Sequence, residues 1–174
     1  MNHNSVDQVS VKSNFYEQLA EHVFISELLQ EAFFRFGKTV EVLRSEIDSS
    51  GYDIVLECNG VIRHVQLKTS LMNATTSIQK INVALAEKPS GCVIWLKREL
   101  DNENIRIKLR YLFFGNLPGS QLPSLEGFKV AKHTKANAEG IKLERPAIRE
   151  VPRRCFTELK NTEELLLTLF GDLE

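Results

Sequence analysis

Asp53, Gln66 and Lys68 are the residues of this chain whose types and spacing come closest to a chemical site. They lie in the stretch GYDIVLECNGVIRHVQLKTS, residues 51–70, where two alternating runs flank Asn59-Gly60. Asn-Gly between such runs is the strongest short signal for a two-residue hairpin turn. Counting outward from the turn pairs Cys58 with Val61, Val55 with His64 and Asp53 with Gln66. Directly opposed residues share a face with Cβ atoms about 4.5 to 5.5 Å apart, and Lys68 joins that face diagonally. One carboxylate, one amide oxygen and one ammonium converge there, the ingredients of acid–base or electrostatic work. The other face carries Ile54, Leu56, Val65 and Leu67 and calls for burial. Glu57 and His64 also lie on the polar face, and a half-buried hairpin with one wet side shows the same alternation.

The elements that must position this hairpin begin with a helix. From Asn14 to Phe36, Phe15, Leu19, Val23, Ile25, Leu28, Leu29, Ala32, Phe33 and Phe36 recur at three and four, and Gly37 stops the run. At 100° per residue Glu21 falls in line with Ile25, Leu28 and Ala32 on the apolar stripe. A carboxylate there needs a metal, a cation or hydrogen bonds near it. Glu17, Glu27, Glu31 and Arg35 project to the opposite side, with Glu31 and Arg35 at i,i+4 on a solvated face. His22 lies near the apolar face as a hydrogen-bonded core residue.

Val40 to Leu43 reads as a short strand, and the hairpin as strands over about Tyr52 to Cys58 and Val61 to Thr69. Thr75 to Lys88 reads as a helix, with Ile78, Ile81 and Leu85 at helical spacing before Pro89 and Gly91. Cys92 to Leu96 is an apolar run typical of a buried strand, and Ile105 to Phe114 returns after the polar DNEN turn. Residues 116–152 hold four of the five prolines and are expected to form loops and short pieces. Asn161 caps a leucine-rich helix that Gly171 ends. With 174 residues, 43% hydrophobic and 26% charged, the chain is expected to be one globular domain with a core over about 14–115. The N-terminus lacks a basic start and an apolar run, so a soluble, unexported, cytoplasmic protein without membrane contact is expected.

In the order α-β-β-β-α-β, with an acidic residue in the first helix, GYD entering the second strand and QLK in the third, the chain resembles the PD-(D/E)XK nuclease superfamily over about residues 14–98. The resemblance implies an α/β fold with a restriction-endonuclease-like αβββαβ core, a mixed sheet flanked by helices. It implies a metal-dependent endonuclease or exonuclease that hydrolyses nucleic-acid phosphodiester bonds, DNA before RNA. Carried over residue by residue, Asp53 is the central metal ligand, Gln66 stands at the second-ligand position, Lys68 is the catalytic lysine and Glu21 is the helix acid. Tyr52 replaces the motif proline, and Gln66 replaces an Asp or Glu and removes a negative charge. The implied cofactor is Mg²⁺ or Mn²⁺, a hard ion that suits carboxylate and carbonyl oxygens. One ion is the default, since a second would call on Glu21, Glu57 or a loop acid such as Asp48. Glu27 has a family-like spacing to Gly37, but helical phase selects Glu21. The alternative is a catalytically inactive module of the same fold that binds nucleic acid or a protein partner.

Lys and Arg total 22 against 23 Asp and Glu, so no bulk positive field draws the whole chain to nucleic acid. Between Phe128 and Arg154, however, eight basic residues face three acidic ones. This patch reads either as a phosphate-gripping flank or as a solvated charged loop. There is no phosphate loop, dinucleotide fingerprint, HExxH or GxSxG elbow. Cys58, Cys92 and Cys155 lack disulfide or zinc spacing and read as idle thiols. Leu165, Leu166, Leu169 and Phe170 offer an apolar face to the chain's own core or to a second copy in a homodimer.

Overall fold

A computed structural model describes residues 5–46, 50–101 and 103–173, with side chains from residue 13 onward. Its elements are α1 (Ser5–Phe36), β1 (Glu41–Arg44), β2 (Ile54–Cys58), β3 (Val61–Leu71), β4 (Ile78–Asn82), β5 (Gly91–Asp101), β6 (Arg106–Gly115), β7 (Lys129–Lys132), β8 (Glu144–Pro152), β9 (Thr157–Leu159) and α2 (Thr162–Phe170). Six strands form the main sheet in the order β1-β2-β3-β5-β6-β9, and β4-β8-β7 form a second sheet. Every pairing is antiparallel except β3 with β5. The fold is therefore mixed α/β with a mixed sheet and two helices.

Both helices cover one face of the main sheet. Ala20, Phe24, Leu28 and Ala32 of α1 and Leu165, Leu166, Leu169 and Phe170 of α2 pack with Ile54, Leu56, Val65, Ile94 and Leu96. The buried stripe of α1 runs at a strict i,i+4 interval, which leaves Phe15, Leu29 and Phe33 exposed and puts Glu21 on its flank. The apolar residues of α2 are spent on the chain's own core, so that face is not available to a second copy. On the other face, Ile81 and Val151 of the second sheet pack against Val93, Trp95, Leu112 and Phe114.

The hairpin register is as counted: Cys58 faces Val61 and Val55 faces His64. Asn59 (φ 52°) and Gly60 (φ 79°) take the left-handed pair of conformations that a two-residue turn requires. Asn161 caps α2 through its side chain, which accepts the Glu164 N–H at 2.9 Å.

The helix expected over Thr75 to Lys88 is not formed. That segment is β4 followed by a 3₁₀ turn, Val83–Glu87. Ile78, Ile81 and Leu85 share helical spacing, but Thr75, Thr76, Ile78, Ile81 and Val83 are β-branched and favour extended backbone. The deciding partner is β8, which pairs with β4 from Ile78↔Pro152 to Asn82↔Ile148. The Asn82 side chain then accepts the Ala84 N–H at 3.1 Å and turns the chain into the 3₁₀ segment. The αβββαβ order is thus altered at its second helix. Residues 116–152, expected as loops and short pieces, contribute the paired strands β7 and β8.

Candidate functional site

Where β2 begins, the ladder with β3 gives way to side-chain bonding. The last regular pair is Ile54↔Val65. Asp53, one residue earlier, donates its N–H to the Val65 carbonyl at 2.9 Å, and its Oδ2 accepts the Leu67 N–H at 2.6 Å. The carboxylate so continues the ladder in place of a backbone carbonyl, and Asp53 grips β3 on both sides of Gln66. Beyond this point β3 runs on to Leu71 with no strand on its β2 side among the described residues.

A cleft of about 450 Å³ opens at this edge. Asn14, Glu17, Gln18 and Glu21 line it from α1, Asp53 from the start of β2, Leu67, Lys68 and Thr69 from β3, and Gln79 from β4. Three of the four expected site residues therefore share one cavity. Glu21 forms an ion pair with Arg44 of β1, so the cation that a carboxylate at this position calls for is supplied within the chain. Gln66 is not among the lining residues. It is 5% exposed, and its Oε1 has no hydrogen-bond partner among the described residues.

An orphaned amide oxygen and a carboxylate whose backbone spans that same residue are hard oxygen donors. Mg²⁺ takes few such ligands and keeps its waters, but of the two only Asp53 lines the cleft, and its Oδ2 already accepts the Leu67 N–H. Within the cleft, Asp53 alone of this pair would reach such an ion. Glu21, engaged by Arg44, is in the cleft but already neutralised. Among the described residues no group of three or more His, Cys, Asp or Glu side chains is gathered to hold a metal.

Other candidates are placed elsewhere. Glu57 spends its Oε1 on the Gly60 N–H of the hairpin turn at 2.8 Å, so it does not support a second ion. Asp48 lies outside the described residues. Glu27, expected on the solvated face, instead accepts a hydrogen bond from the Tyr111 hydroxyl of β6. Burial, reinforced by that carboxylate, pushes the Tyr111 hydroxyl well above the usual tyrosine range. Glu31 and Arg35 do pair on the exposed side. His22 is exposed rather than in the core. Tyr52, at the motif-proline position, packs edge-on against His64 at 5.0 Å.

Gln79 was missed from sequence because a helix over Thr75 to Lys88 puts no emphasis on it. As a strand, β4 alternates Gln79 and Ile81 inward with Ile78 and Lys80 outward. The basic patch falls on β7, β8 and the segment between and after them, none of which lines the cleft. Lys129 pairs with Glu150 at 3.6 Å and Arg153 with Glu158 at 3.3 Å. Lys132, Lys135, Lys142, Arg145 and Arg154 have no ion pair among the described residues. No described helix is long and apolar enough to cross a membrane. No protein-family model, no curated protein and no solved structure matches the chain.

Proposed function

We propose that the cleft beside β3 hydrolyses nucleic-acid phosphodiester bonds with the help of Mg²⁺ or Mn²⁺, in a core related to that of restriction endonucleases with a strand and 3₁₀ turn in place of the second helix. The observation that carries this reading is the convergence of Glu21, Asp53 and Lys68 on one cavity from three separate elements. A bound divalent ion would stabilise charge at the phosphoryl group and acidify a water. Asp53 would offer it a carboxylate oxygen from the cleft wall. Lys68 brings an ammonium to the cleft, suited to bracing the negative charge that develops as the phosphodiester is attacked. DNA is the expected substrate, and the unpaired cations around the β7–β8 hairpin offer sequence-independent contacts to its backbone.

The neutral Gln66 and the Glu21–Arg44 pair favour a second reading, a binding module that has lost cleavage. The test is incubation of the purified protein with plasmid, single-stranded DNA and RNA in Mg²⁺ or Mn²⁺, with EDTA controls and the variants Asp53→Asn and Lys68→Ala. Asparagine keeps the acceptor for the Leu67 N–H and removes the charge. Metal-dependent cleavage lowered at least a hundredfold in both variants is expected. Cleavage unchanged by them would remove the site from this cleft. No cleavage, with nucleic-acid binding retained, would select the second reading.

A further inference from the structure

We infer that Gln79 is a substrate-contacting residue of this cleft, its side-chain amide donating to a non-bridging oxygen of the phosphodiester. The inference rests on the hydrolytic reading above and deepens it. Gln79 occupies an inward position of β4 next to Ile81, where the alternation of a strand packed on a core calls for an apolar side chain. The residue is 9% exposed, and its amide, which makes no hydrogen bond among the described residues, is left to the solvent of the cleft it lines. An amide on a cleft wall with no partner in its own chain is satisfied by water or by a ligand that enters the cleft.

The surroundings indicate which ligand. Gln79 opens onto the cleft that holds Asp53 and Lys68. Glu17 and Asp53 stand there with Lys68, and Glu21 is paired with Arg44, so an anionic phosphodiester gains from a further donor on the cleft wall. Asn14 and Gln18 are exposed on α1. Gln79, by contrast, is fixed by its ladder position opposite Val151. A neutral donor on a rigid strand, across from Lys68, can hold a phosphate oxygen without adding a second titrating group. The same strand ties the cleft to β8, which carries part of the basic patch, so nucleic acid gripped by that patch and nucleic acid held in the cleft meet one continuous sheet.

The test compares wild type with Gln79→Met, which keeps length and volume, and Gln79→Glu, which places a negative charge against the phosphate. Affinity for a DNA oligonucleotide is measured in Ca²⁺, and cleavage in Mg²⁺. Gln79→Met is expected to melt within a few degrees of wild type, since an apolar side chain suits the site. It is also expected to weaken binding and cleavage by about ten- to hundredfold, and Gln79→Glu by more. Unchanged affinity and cleavage in Gln79→Met, with Asp53→Asn still inactive, would overturn the role of Gln79 and leave the hydrolytic reading standing. Wild-type protein that neither binds nor cleaves would overturn both. Should Gln79→Met fail to fold, Gln79→Ala decides by the same readouts, since it removes the donor without adding a charge, and unchanged affinity and cleavage would overturn the role of Gln79.

Discussion

Arg63 shows how far one residue's environment can depart from its type. It lies on β3, fully buried, in a position where alternation calls for an apolar side chain. Its Nε donates to the Leu169 carbonyl at 2.7 Å, and its Nη2 donates to the Thr168 and Asn116 carbonyls at 2.9 Å each. Its Nη1 meets the Ser90 hydroxyl at 3.1 Å. A guanidinium thereby closes the C-terminal end of α2, where cations are favoured, and binds that helix to the sheet. Burial lowers its pKa, but an arginine stays charged. Arg63→Met would leave these acceptors buried and unpaired. The expected loss is about 3 kcal/mol of stability, read by urea unfolding, and a loss below ~1 kcal/mol would show that water replaces the guanidinium. Nearby Cys92 is driven the other way. Burial pushes its thiol up to about 12, only partly relieved by Arg63, which leaves it protonated and inert.

Among the elements, the β5–β6 hairpin is the longest ladder, running from Cys92↔Gly115 to Asp101↔Arg106. Its far end is closed by Asp101, whose Oδ2 lies 2.9 Å from the Lys108 ammonium and 2.9 Å from the Asn104 amide nitrogen. Those partners, Lys108 first, hold the Asp101 carboxyl well below the usual carboxylate range. A depressed pKa contributes stability that is present above the unfolded-state value of about 4 and is lost as pH falls through the folded value. Asp101→Asn is therefore expected to lower Tm at pH 7. The gap to wild type should close as pH falls below about 4, in melting curves recorded across that range. A gap independent of pH would mean the charge of Asp101 contributes nothing. The β4 segment teaches the opposite lesson about elements, since its state was set by a partner some seventy residues away.

For the molecule as a whole, net charge is nearly balanced while its distribution is not. Lys132, Lys135, Lys142 and Arg145 gather at the β7–β8 hairpin without ion pairs among the described residues. If they contact phosphates, each removed charge should reduce the dependence of log affinity on log salt by about one unit. Replacing all four with Gln is expected to flatten that slope by three to four units between about 50 and 200 mM salt, measured by fluorescence anisotropy with duplex DNA. An unchanged slope would make the hairpin a solvated face.

Local chemistry in the sequence was enough for the hairpin and its register, because Asn59-Gly60 adopts left-handed turn conformations that its neighbours disfavour. It was enough, too, for the caps of α2 and for the presence of a long α1, since turns, caps and periodicity act over a few residues. Asp53 and Lys68 could be matched to one site because a single turn set their register. The phase of α1 needed the sheet beneath it: Phe24 fills the core, Glu21 stands beside Arg44, and Glu27 reaches Tyr111. Burial of Gln66, the entry of Gln79 into the cleft and the conversion of an expected helix into β4 were likewise decided by tertiary structure. Each depends on contacts between residues distant in the chain, and such packing overrides local propensity when it satisfies more backbone and buries more apolar surface.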